Sequence, residues 1–180
     1  MLKSHMDAEK AIQAVAFLVQ ILPSPDIHRV VHVLYFAEKA HLAKYGRTVT
    51  NDSYIAMPFG PVPSNLFDLI KSVRGDGDSH YLDKNPDIVR HAKETLKVYD
   101  HNLAIIGSID FDLLSESDKE CLLEARKEFG DLPFPVLSKI SHDAAWKATA
   151  KNKQIALKNI VETLPDAQSI LRHLRETCKL

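Results

Sequence analysis

His28 and His32 stand four residues apart, the spacing at which two imidazoles share a helix face and reach one metal ion. Between them lie Arg29, Val30 and Val31, so the glutamate that serves as base in a His-Glu-x-x-His site is absent, and no third ligand stands near. The expectation is two helix-surface histidines and no metal. Glu38 and His41, three apart, have the spacing of an acid with an orienting base. The same spacing is an ordinary i,i+3 surface contact, and that reading is preferred. His142 next to Asp143 and near Trp146 combines residue types common in catalysis. Sequence neighbours point apart, however, and neither a Gly-x-Ser-x-Gly elbow nor a poised cysteine supplies a nucleophile. Trp146 is read as a core aromatic and His142 as the cap of the next segment. Gly75-Asp76-Gly77-Asp78 lacks the remaining oxygens and the final glutamate of a calcium loop. No glycine pattern for cradling phosphate is present. The chemistry-bearing residues therefore predict no catalytic site, no cofactor and no metal.

The elements that must position these residues follow from periodicity and punctuation. Ala8, Ala11, Ile12, Val15, Leu18, Val19 and Leu22 recur at steps of three and four, one face of a first helix that Pro23 ends. Ser24-Pro25 reads as an N-cap followed by proline at the first helical position, so a second helix is expected from there to about Lys44, with Gly46 as its stop. From Val30 to Ala37 this helix is apolar nearly all round, which predicts a core helix. Arg47–Asn51 and Tyr54–Met57 read as an extended or hairpin segment split by the turn cluster Asn51-Asp52-Ser53. The prolines of Pro58–Pro63 forbid a helix there. Ser64–Val73 is a short helix, Arg74–Asn85 a mobile loop, and Ile88–His91 with Thr95–Tyr99 a second β region. Ser115 begins Ser-Glu-Ser-Asp, a weak relative of the capping box, ahead of a helix ending at Gly130. Pro133–Ile140 makes another short helix, and Ser141-His142-Asp143 supplies capping chemistry after it. Pro165 divides the periodic last segment into two helices. The sum is an α+β fold, predominantly α-helical: a single compact helical domain with a small antiparallel β element in the middle.

Length and composition bound the function. A chain of 180 residues and 20.2 kDa suits one domain with a real core. With 23 Lys plus Arg against 24 Asp plus Glu, the formal charge is −1 and no global basic field exists to hold a phosphate backbone, so direct nucleic-acid binding is not expected. Cys121 and Cys178 are too far apart in sequence for a zinc knuckle or a disulfide framework, which fits a reducing cytoplasm. There is no apolar run of membrane-spanning length and no signal core. Residues 1–6, reading Met-Leu-Lys-Ser-His-Met, are expected to be a vector-derived leader, leaving 7–180 as the domain.

One run carries more information than the rest: Leu34-Tyr35-Phe36-Ala37-Glu38-Lys39-Ala40-His41-Leu42, then Tyr45-Gly46-Arg47, then Tyr54-Ile55-Ala56-Met57-Pro58-Phe59-Gly60-Pro61-Val62-Pro63, then Leu66-Phe67. Together with Leu137-Ser138-Lys139-Ile140-Ser141-His142-Asp143-Ala144-Ala145-Trp146, in this order, it resembles the Panacea domain of the SocA-like antitoxin family, also found in phage-associated proteins. Thr48-Val49 stands where that family has Pro-Ile, His32-Val33 where it has a lysine, and Ala145 where it has the proline before the tryptophan.

The resemblance implies an antitoxin that neutralises a co-encoded toxin by direct protein-protein binding, in the cytoplasm and without turnover. A phage or mobile-element hydrolase using His142 and Asp143, and a proteolytic adaptor that delivers its partner to a protease, are the alternative readings. The family motif supplies the candidate partner-binding residues Tyr35, Lys39, His41, Arg47, Tyr54, Gly60, Pro61, Val62, His142 and Trp146. Gly60-Pro61 fixes a turn and Tyr35 supplies a large amphipathic ring, so part of this set is expected to build the fold. Lys39 and Arg47 are expected to be exposed, with charge reversal there weakening the partner complex and sparing the fold.

Overall fold

Asp7 accepts a hydrogen bond from the Lys10 amide and starts the first helix, α1 (Ala8–Ile21), in the computed structural model, which describes residues 5–76 and 84–177. The predicted face buries Ala11, Ile12, Val15 and Leu18, and Gln13, Ala14 and Ala16 are buried as well, so the middle of α1 is covered nearly all round. Helix α2 (Ile27–Tyr45) ends as expected on Gly46, whose φ of 66° is the left-handed cap conformation. Its start differs from expectation. Asp26, not Ser24, is the cap and accepts from the Arg29 amide at 2.9 Å. The two preceding residues are occupied elsewhere: the Pro25 carbonyl takes the Leu103 amide, and Asp26 bridges to Asn102. Tertiary pairing with a later strand outweighs the local preference of Ser-Pro.

The β element is a hairpin of β1 (Tyr54–Met57) and β2 (Gly60–Pro63), with Met57 opposite Gly60 and Tyr54 opposite Pro63. Pro61 and Pro63 alternate with Gly60 and Val62, so the N–H groups they lack are those that would point away from β1, on the open edge. Helix α3 (Ser64–Arg74) follows directly. Residues 77–83, the greater part of the expected mobile loop, lie outside the described residues, as do Met1–Ser4 and Cys178.

Arg47–Asn51 is not a strand; its Val49 and Thr50 amides are spent on a buried carboxylate described below. Ile88–His91 is not β either. Pro86 opens a helix, α4 (Pro86–Thr95), that buries Ala92 and Thr95, and β3 (Leu96–Tyr99) begins only after it, pairing with β4 (Asn102–Ile105). Four residues of apparent alternation are too few to separate a strand from one face of a helix.

A 3₁₀ turn (Phe111–Leu113) leads to α5 (Glu116–Phe129), capped by the full box of Ser115 and Asp118. Then come α6 (Phe134–Ser141) and α7 (Ala144–Lys147), whose cap is Asp143 rather than His142. Strand β5 (Gln154–Ile155) pairs with the free side of β1, giving the order β2-β1-β5, and α8 (Leu157–Glu162) and α9 (Ala167–Glu176) close the chain on either side of Pro165. Helix α2 is the axis of this predominantly helical α+β fold. It packs against α1, α5, α6, α8 and the hairpin, and Val30, Val33, Leu34, Tyr35 and Ala37 are completely buried. No helix among the described residues is long and apolar enough to cross a membrane.

Candidate functional site

His28, His32, Tyr35 and Lys39 fall at steps of three and four, so α2 presents them as one stripe. Against it lie the hairpin tip and the α6–α7 corner, more than a hundred residues later. Asp143 joins the two. One carboxylate oxygen caps α7 by accepting the Trp146 amide at 3.1 Å. The other accepts the Tyr35 hydroxyl at 2.9 Å and the Lys39 ammonium at 2.7 Å. Burial, reinforced by this carboxylate, pushes the Tyr35 hydroxyl far above its ordinary range, so it stays a donor. Lys39 is accordingly not a free surface cation; its side chain is 16% exposed and ion-paired.

Trp146 turns its indole N–H to the Met57 carbonyl at 2.9 Å and stacks on His142, ring centroids 3.8 Å apart and 10° from parallel. It is partly buried and packs against the core rather than within it. His142 and Asp143 do not form a dyad: the carboxylate is taken by Tyr35, Lys39 and the α7 amide. Burial holds the His142 imidazole below its ordinary range.

The hairpin tip is clamped along its inner side. Ser138 donates to the Phe59 carbonyl at 2.8 Å, and Ser141 donates to Ser138 O at 2.7 Å. Gly60 has φ 132°, and a Cβ there would fall on His32 Nε2 and Ser141 Oγ. That close approach explains the buried Gly60-Pro61-Val62 run. The helix-surface expectation for the histidine pair fails. His32 is 1% exposed, its Nδ1 donates to the His28 carbonyl at 2.7 Å, and its ring lies 4.0 Å from that of His28. Burial first, then the neighbouring His28, brings His32 down to about 4, so it is neutral at pH 7. His28 in turn lies tilted against Phe134, ring centroids 4.0 Å apart, and Phe134 meets Phe59 edge-on at 5.5 Å. Among the described residues no three His, Cys, Asp or Glu side chains are grouped to hold a metal.

Two further nodes lie along α2, and both correct the expectation of surface contacts. Glu38, 2% exposed, accepts the Val49 amide, the Thr50 amide at 3.1 Å and the Thr50 hydroxyl at 2.5 Å. Burial lifts it to about 7 despite these donors. His41 does not pair with it. Fully buried, it donates to the Arg47 carbonyl at 2.8 Å and meets Ser117 Oγ at 3.0 Å. Arg47 is tied to Asp118 at 3.2 Å, beside Lys10 at 2.8 Å, and so is also a structural cation. Burial alone would raise the Asp118 carboxyl; Lys10 and the Ser115 donors bring it below its ordinary value. Tyr54 is 3% exposed and packs its ring 5.1 Å from Tyr35. With Glu38 and Asp52 the two tyrosines line a cavity of about 70 Å³, enough for one or two waters.

Thus Tyr35, Lys39, Gly60, Pro61, His142 and Trp146 converge on one corner, Tyr54 and Val62 back it, and His41 and Arg47 belong to a separate node. In sequence the hub itself, Asp143, stands beside His142 and within the capping run Ser141-His142-Asp143, with nothing to connect it to Tyr35 or Lys39. Its spacing to Trp146 is that of a cap to the third helical residue, a signal available without coordinates.

Compared with known proteins, the chain matches the family model of the SocA-like antitoxin, Panacea domain, over residues 30–147. No curated protein and no solved structure matches it. The matched stretch opens in the first turn of α2 and closes at the end of α7, so it encloses both halves of the Asp143 corner.

Proposed function

We propose, from the premise that this chain belongs to the SocA-like antitoxin family defined by the Panacea domain, that it neutralises a co-encoded protein toxin by direct binding. The single observation that carries this reading is the family match, which spans the α2–hairpin–α6–α7 unit and not a peripheral fragment. The chemistry of that unit agrees with binding without turnover. Its carboxylate is saturated by three donors and is not free to orient a histidine. The fold leaves the toxin's identity open, since sites and not folds carry specificity.

The test is growth of cells carrying the neighbouring gene under an inducible promoter, with and without this chain, followed by affinity purification of the tagged chain. Rescue together with a stoichiometric complex is the expected result. Rescue with loss of the toxin and no stable complex would point to the adaptor reading, and a harmless neighbouring product would remove the toxin-antitoxin assignment. Charge reversal at Lys39 or Arg47 is unsuitable as an interface probe, because both are structural ion pairs.

A further inference from the structure

The best-clamped part of the molecule presents its largest apolar side chain to water. Phe59 is 60% exposed although its own carbonyl, Gly60 and the Met57 carbonyl are all held by Ser138, His32, Ser141 and Trp146. Next to it Phe134, at the start of α6, is 45% exposed and meets the Phe59 ring edge-on. A rigid backbone under exposed apolar groups loses little further freedom on binding, the condition for a preorganised anchor. Charge singles out the partner. Lys139 follows Ser138, the residue that holds the Phe59 carbonyl, and Lys147 lies close enough to His142 to lower its affinity for a proton. Both are exposed, and neither forms an ion pair among the described residues. From 134 to 153 there are four lysines and one acid, Asp143, which Lys39 already neutralises.

We infer that the hairpin tip and the start of α6, Phe59 with Phe134, form a docking surface for an acidic segment of a protein partner, one carrying large aliphatic or aromatic side chains. Apolar anchors on Phe59 and Phe134 supply affinity, and carboxylates over Lys139 and Lys147 supply register and encounter rate. A chain of net charge −1 offers no wider field for a nucleic acid or an anionic membrane. The inference rests on the reading of the chain as a protein-binding module and names the chemistry of its partner.

The experiment uses the full chain and fluorescence anisotropy. The probe is a labelled amphipathic peptide with Glu on one face and Leu and Phe on the other, compared with the same peptide carrying Lys for Glu. The Glu peptide should bind at least about tenfold tighter than the Lys peptide, and F59S or K147E, both exposed positions, should each weaken it at least about tenfold with the melting temperature retained. Equal binding of both peptides, no binding, or displacement by an oligonucleotide or by phosphatidylserine vesicles would overturn the assignment. A second arm uses the neighbouring gene's product. If wild type forms the complex and F59S/K139E/K147E forms it equally well, the surface is wrong and neutralisation stands. If wild type forms none, neutralisation fails and the peptide arm still decides the surface.

Discussion

Asp143 is the residue on which three elements meet, and its removal has a calculable consequence. Asp143→Ala deletes the α7 cap and leaves the Tyr35 hydroxyl and the Lys39 ammonium in a partly buried place without their acceptor. The loss is expected to be about 3 kcal/mol by urea denaturation, with Asp143→Asn milder because an amide oxygen still caps. Glu38 predicts a pH effect of definite sign. Burial raises its folded value to about 7 from an ordinary 4.5, so between those values the folded chain keeps a proton the unfolded chain has released. Its contribution is therefore full below about 4.5 and is lost as pH rises to about 7. The buried histidines act oppositely, since their lowered values withdraw stability as pH falls. The difference between wild type and Glu38→Gln isolates the carboxyl: denaturation midpoints at pH 5 and pH 7.5 should show wild type losing ground to the variant at the higher pH.

At the scale of elements, the hairpin depends on one glycine for two separate reasons. Gly60→Ala meets both an unfavourable φ of 132° and the side chains of His32 and Ser141, whereas Gly75→Ala, at φ 94°, has nothing within 4 Å of the new Cβ. The first should cost about 3 kcal/mol or more and the second about 1 kcal/mol, a contrast that paired melting curves read directly. The same elements show what sequence logic reaches. Helices α1, α3 and α5 and the pair divided by Pro165 declare themselves through three-four periodicity and caps, because burial of one face and satisfaction of helix ends are local constraints. Asp26 displaced Ser24 as a cap because Pro25 was needed by β4, and Ile88–His91 became helical because Pro86 began a turn that four residues of alternation could not reveal. Lys39 and Arg47 were read as exposed because their partners, Asp143 and Asp118, stand 104 and 71 residues away. No spacing rule connects such pairs. The candidate corner was therefore legible as a set of residue types and illegible as a set of contacts.

At the scale of the molecule, α2 makes the fold a single mechanical unit, because α1, α5, α6, α8 and the hairpin all rest on it. Leu34 sits at its centre, fully buried, so Leu34→Ala opens a cavity that the surrounding elements cannot close without moving one another. The loss should be about 2 to 5 kcal/mol, or roughly 10 °C in Tm for a chain of this size. Leu123→Ala, at a leucine 48% exposed on α5, should shift Tm by no more than about 2 °C. Trp146 is the chain's one tryptophan and reports on the α6–α7 corner alone, while far-ultraviolet circular dichroism reports on all the helices. If α2 couples the corner to the rest, the two signals melt together in wild type and move down together in Leu34→Ala. A corner that melted ahead of the helices would mean that Asp143, Tyr35 and Lys39 hold a separable flap, and that the docking surface of Phe59 and Phe134 is assembled only part of the time.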